Sequence, residues 1–96
     1  VTGVQTCALP ISEAINQLAI LKANQGAIDQ AIDLFKRLDE LQPDEPFTLD
    51  SIGVLFGKKE NYIEAEKYFR KALSIDPKYE QARSHLQMIE KILSQP

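Results

Sequence analysis

The chain nearly repeats itself every 34 residues. SEAINQLAILKANQGAIDQAIDLFKRLDELQPDE (12–45) aligns without a gap on PFTLDSIGVLFGKKENYIEAEKYFRKALSIDPKY (46–79). Pro43 falls on Pro77, Phe35 on Phe69, Ala31 on Ala65, Leu18 on Ile52, Ala19 on Gly53, Ile28 on Tyr62 and Leu41 on Ile75. EQARSHLQMIEKILSQP (80–96) begins a third copy and runs through half of it. A fixed period of this length implies one supersecondary unit whose apolar face is buried only when neighbouring copies stack.

Each copy reads as two helices. In the first copy Ile15, Leu18, Ala19 and Lys22 follow i, i+3, i+4, i+7 spacing, which puts them on one helical stripe. The pattern pauses at Gln25-Gly26, and glycine is the usual residue just past a helix end because it tolerates positive φ. It resumes with Ile28, Ala31, Ile32, Leu34, Phe35, Leu38 and Leu41 and stops before Pro43. The second copy repeats this with Leu49, Ile52, Gly53 and Phe56, then a break at Glu60-Asn61 where Asn61 is expected to stand in for glycine. Tyr62, Ala65, Tyr68, Phe69, Ala72, Leu73 and Ile75 follow, before Pro77. Prolines 43, 46 and 77 suit helix boundaries. A last helix over residues 79–93 places Ala82, Leu86, Ile89 and Leu93 on one stripe, with Arg83, Gln87, Glu90 and Lys91 expected to face water. No strand-like alternation occurs, so the expected fold class is all-α.

Ala19/Gly53 and Ala31/Ala65 lie where the two helices of a unit must meet. Small side chains there allow close approach, and Phe35 and Phe69 fill the space beside them.

These positions resemble the tetratricopeptide repeat. The second unit carries Leu49, Ile52-Gly53, Phe56, Tyr62, Ala65, Phe69, Ala72 and Pro77 at the spacing of that motif. The first carries Ile15, Leu18-Ala19, Ile28, Ala31, Phe35 and Pro43, and departs at Lys22, where the family favours an aromatic residue, and at Leu38, where it favours alanine. The resemblance spans residues 12–96. It implies a right-handed α-solenoid of antiparallel helix pairs: unit 1 at 12–45, unit 2 at 46–79, and a solvating C-terminal helix or truncated third unit at 80–96.

The resemblance also implies a function: a non-catalytic scaffold that binds a peptide or partner helix in a concave groove lined by the first helices of successive units. Carried over by position, the groove residues are Glu13, Asn16, Ile20 and Asn24 in unit 1, Phe47, Asp50, Val54 and Lys58 in unit 2, and Gln81, Ser84 and Met88 in the last helix. Chaperone-binding members hold a C-terminal carboxylate with Lys, Asn, Asn, Lys and Arg. The matching positions here are Asn16, Ile20, Ser51, Gln81 and His85, so that partner class is not expected. Two other expectations stand beside the scaffold. One is a regulatory or substrate-recruiting C-terminal end of a larger enzyme, such as a glycosyltransferase, kinase or peptidase. The other is a structural array that self-associates through exposed terminal helices.

Chemistry is sparse. His85 is the single histidine and has no second His, Cys or carboxylate cluster beside it in sequence. Ser51 beside Asp50 has no base and sits mid-helix, and no glycine-rich phosphate loop exists. Enzyme activity, a cofactor and a metal site are therefore not expected. With 11 basic against 14 acidic residues and no basic run, nucleic acid is a poor partner. No apolar stretch approaches the roughly 18 residues of a membrane span, so membrane insertion is not expected.

VTGVQTCALPI (1–11) is uncharged, holds the single cysteine, Cys7, and lies outside the repeat register. It has neither the basic start nor the apolar core of a signal peptide. All eleven residues are similar to the translation of a common high-throughput sequencing adapter, so the segment is expected to be non-native and disordered, joined to a fragment of a bacterial protein. On that reading the native start and any signal sequence lie outside this sequence. The compartment is then open, with the cytoplasm favoured.

Overall fold

A computed structural model describes residues 10–95, which form five α-helices: α1 (Ile11–Asn24), α2 (Ile28–Leu41), α3 (Pro46–Lys58), α4 (Tyr62–Ile75) and α5 (Glu80–Ser94). There is no strand among the described residues. α1 packs on α2 and α3 on α4, while α2 contacts α3 and α4 contacts α5. The result is an α-solenoid of two helical hairpins followed by a single closing helix, with α3 also touching α5.

α1 begins one residue before the repeat register places it. Pro10, at φ -56°, is its N-cap, and the Pro10 carbonyl accepts the Ala14 N–H at 3.0 Å, which draws Ile11 into the first turn. The rest of the segment expected to lie outside the repeats, residues 1–9, is outside the described residues.

Both hairpins turn through the same hydrogen-bonded cap. In the first, Ala27 N–H donates to the Lys22 carbonyl at 2.9 Å and Gly26 N–H to Ala23 at 3.0 Å. In the second, Asn61 N–H donates to Phe56 at 2.9 Å and Glu60 N–H to Gly57 at 2.9 Å. This paired pattern is the Schellman motif, which needs a left-handed residue at its apex. Gly26 supplies it at φ 82°, but in the second turn the apex is Glu60 at φ 63° rather than the expected Asn61. Asn61, at φ -91°, is instead the N-cap of α4. The cap geometry, not the side chain's preference, selects the residue.

The core is one apolar cluster through all five helices. It includes Ala19, Ala31, Phe35, Leu38, Ile52, Phe56, Ala65, Phe69, Leu86 and Ile89. A smaller cluster of Leu49, Ala72 and Ala82 sits under Tyr68 and Tyr79. Leu93, expected on the buried stripe of α5, is 37% exposed because it lies in the final turn. Arg83, Gln87, Glu90 and Lys91 are exposed as expected.

Leu18, on the apolar stripe of α1, is left uncovered. It is 42% exposed and Leu21 is 51% exposed, whereas their counterparts one period later, Ile52 and Leu55, are 0% and 3% exposed. α3 has α2 packed before it, while no described helix precedes α1.

Gly53 marks the closest approach within unit 2. A Cβ at this position would stand 2.6 Å from Cε1 and 2.8 Å from Cδ1 of Phe69, itself only 2% exposed. Gly53→Ala is therefore expected to lower stability by about 1–3 kcal/mol, despite alanine's better helix propensity. Glu60→Gly should raise it by roughly 0.5–1 kcal/mol by relieving the left-handed strain. Chemical denaturation measures both, and a stabilising Gly53→Ala would contradict the described contact.

Candidate functional site

The first helix of each unit, and α5 after them, lines one face of the stack. Three hollows follow one another along it. The first, of about 220 Å³, is bounded by Ser12, Glu13, Asn16, Leu38, Gln42, Glu45, Phe47 and Thr48. The second, of about 190 Å³, lies between α1 and α3 and is lined by Ile20, Ala23, Asn24, Phe35, Asp50, Ser51, Val54, Leu55 and Lys58. The third, of about 260 Å³, lies between α3, α4 and α5 and is lined by Val54, Gly57, Lys58, Tyr62, Phe69, His85, Met88, Ile89 and Ile92. Val54 and Lys58 border both the second and the third, so these two hollows adjoin across a shared wall.

Of the residues carried over by position, the structure puts Glu13, Asn16 and Phe47 at the first hollow, Ile20, Asn24 and Asp50 at the second, Val54 and Lys58 between the second and third, and Met88 at the third. Gln81 and Ser84 are exposed on α5 but line none of the three. Phe47 is 45% exposed, with its ring edge-on to Phe35 at 6.5 Å. The Asn16 Oδ1 is buried without a hydrogen-bond partner, an acceptor left over in the wall of the first hollow.

Asp50 lines the second hollow but is largely withdrawn from solvent. It is only 6% exposed, and its Oδ1 lies 2.8 Å from Nδ1 of His85, 35 residues away. His85 in turn tilts over the Phe69 ring with centroids 5.2 Å apart. An ionised carboxylate can only accept, so the imidazole carries its proton on Nδ1 in that state and the other ring nitrogen is left for solvent or a ligand. Burial pushes the Asp50 carboxyl above its ordinary value of 3.8, against the opposing effect of the His85 hydrogen bond and charge. The partner for His85 was absent from its sequence neighbourhood because it comes from the preceding unit. A separation of one period plus one residue on facing first helices was the available signal.

Elsewhere the charges are surface pairs. Lys59 pairs with Asp29, and Arg70 bridges Glu66 at 3.1 Å and Glu90 at 2.9 Å. Lys36 lies over the Phe56 ring at 5.5 Å from its centroid. No group of three His, Cys, Asp or Glu among the described residues could hold a metal ion, and no described helix is long and apolar enough to cross a membrane.

The family model of the tetratricopeptide repeat matches residues 51–79. A comparison with curated protein sequences returned no match. Among solved structures, the Sgt2 TPR domain from Aspergillus fumigatus is similar with a TM-score of 0.84 at 21% identity, covering 90% of this chain and 57% of that one. The first TPR of Spaghetti (RPAP3), bound to the HSP90 peptide SRMEEVD, gives 0.83 at 18% identity over 86% of this chain and 66% of that one. The second TPR of the same protein, bound to the same peptide, gives 0.82 at 17% identity over 97% and 84%. The chain thus spans less than two thirds of the length of the first two, and the likeness establishes the fold.

Because Asp50 has a raised pKa in the folded state, its contribution favours folding most at pH below 3.8 and is lost as pH rises through the raised value. Asp50→Asn keeps an acceptor for the His85 Nδ1–H and removes that dependence. Thermal unfolding of this variant against pH should show an unchanged or higher midpoint at pH 7. A large loss at pH 7, restored in acid, would contradict the buried, desolvated carboxylate.

Proposed function

We propose that this tetratricopeptide-repeat solenoid is a non-catalytic protein-interaction scaffold that binds a peptide in the groove formed by α1, α3 and α5. The observation that carries the reading is the row of three hollows on one face, two of them adjoining at Val54 and Lys58. Apolar walls, a few polar groups and an unsatisfied acceptor at Asn16 suit an extended segment with both side-chain and backbone contacts.

The groove is offered to an internal segment of a partner rather than to a C-terminal carboxylate. Two structural neighbours bind the HSP90 peptide SRMEEVD, which makes that peptide the right comparison. At the five positions where such binding would need cations and amides, Ile20 is apolar, Ser51 is half-buried, Gln81 is exposed on α5, and His85 is engaged by Asp50. Asn16 and Gln81 bring carboxamides, and none of the five is Lys or Arg. Without cationic donors at these five positions, a terminal carboxylate held there loses its charge-assisted hydrogen bonds.

End-on self-association is the second reading, favoured by the exposed Leu18 and Leu21 on α1. A mass by light scattering that stays monomeric at high concentration would count against it.

Peptides selected from a display library on the full chain test the groove. Ile20→Arg, on a side chain 39% exposed in the second hollow, should weaken them roughly tenfold or more while the helical circular-dichroism signal persists. SRMEEVD should bind no better with a free than with an amidated C-terminus. Selected peptides indifferent to Ile20→Arg would remove the groove assignment, and a strong preference for the free carboxylate would restore the chaperone class.

A further inference from the structure

The third hollow contains a glycine that packing does not require. Gly57 lies in the last turn of α3, not at the left-handed apex of the cap, and its φ is not positive. A Cβ built on it meets nothing within 4 Å. Gly53, one turn earlier in the same helix, has Phe69 at 2.6 Å and must be small. Glycine destabilises a helix relative to alanine, so Gly57 weakens α3 without serving a close contact. What its missing side chain leaves is open space in the wall of the hollow.

The hollow is also unusual in charge. Its walls are Val54, Tyr62, Phe69, Met88 and two isoleucines, with Met88 60% and Ile92 38% exposed. Lys58 and His85 are its basic groups, and no carboxylate lines it, although the chain carries 14 acidic residues against 11 basic ones. Lys58 makes no ion pair among the described residues. Its neighbour Lys59 is held by Asp29. Apolar cavities of roughly 150 Å³ accommodate a benzene ring, so about 260 Å³ has room for one large side chain.

We infer that this hollow is the specificity pocket of the groove: it seats one large aliphatic or aromatic side chain of the bound peptide, and Lys58 at its rim holds an Asp or Glu carboxylate within two residues of that side chain. The inference rests on the peptide-binding reading above and adds the chemistry of the ligand. Burial of the apolar side chain supplies affinity. The charge-assisted bond to Lys58, which makes no ion pair among the described residues, selects the neighbouring acid.

The test uses the same display library on the wild-type chain and on Gly57→Leu, Lys58→Glu and Ile20→Arg. Enriched sequences are expected to share a large apolar residue with Asp or Glu within two positions. Gly57→Leu, which fills the hollow with its own side chain, should weaken them roughly tenfold or more, with an unchanged or higher Tm. Loss of affinity with a gain of stability is the signature that a damaged fold cannot produce. Met88→Lys, on an exposed side chain of the same hollow, gives the same readout should Gly57→Leu lower the Tm. Lys58→Glu should penalise the acidic peptides and spare their Glu→Gln and Asp→Asn analogues. Peptides that lack the apolar–acidic pairing, or that ignore Gly57→Leu and Met88→Lys while losing affinity to Ile20→Arg, overturn the pocket and leave the groove intact. Indifference to all the variants, or no enrichment at all, overturns both.

Discussion

Phe69 seated on Gly53 is the contact from which the rest of unit 2 follows. Its ring is 2% exposed and leaves no room for a Cβ on the facing helix. That sets how near α4 approaches α3. The same ring carries His85 at 5.2 Å, so α5 is registered on it as well. Three helices are thereby fixed around one side chain, whose full burial alone contributes roughly 1.5–3 kcal/mol. Unit 1 uses a looser version of the device, with Ala19 in place of Gly53 and Phe35 in place of Phe69. Its face toward solvent, with Leu18 and Leu21 exposed, has no helix to cover it among the described residues.

The groove is a consequence of that stacking. Close packing within each hairpin puts the first helices side by side on one face, and their outward residues leave spaces between them. Phe69 is the deepest wall of the third hollow and Gly57 its missing one. Two glycines one turn apart in α3 thus act oppositely: Gly53 allows a contact and Gly57 leaves a vacancy. Asp50 and His85 on this face are engaged with one another. On the proposed reading, recognition falls to the apolar walls and to the ammonium of Lys58. At the other end of the stack, α5 places Gln87 and Glu90 where unit 2 has Gly53 and Phe56, and both face water.

Much of the fold was legible in the sequence because a repeat reports each packing position twice. Period and apolar spacing place five helices within a residue or two, and the alanine, glycine and phenylalanine positions locate the close approaches. What escaped were features set by three-dimensional neighbours. Helical phase puts Asp50 at the groove, where it lines the second hollow, but that His85 from the next unit holds its carboxylate could not be seen from either residue's sequence neighbourhood. Glu60 took the left-handed apex because the hydrogen-bonded cap counts residues from the helix end and ignores side-chain preference. The positions carried over to α1 and α3 line the hollows, whereas Gln81 and Ser84 on α5 line none of the three.

Chemical-shift mapping of the amide resonances with a display-selected peptide tests the central claim most directly. Recognition in the groove predicts that the largest perturbations fall on Ile20, Asn24, Val54, Gly57, Lys58 and Met88, spread over three helices but confined to one face. Perturbations centred on the outer faces of α2 and α4, or on Leu18 and Leu21 at the end of the stack, would contradict it.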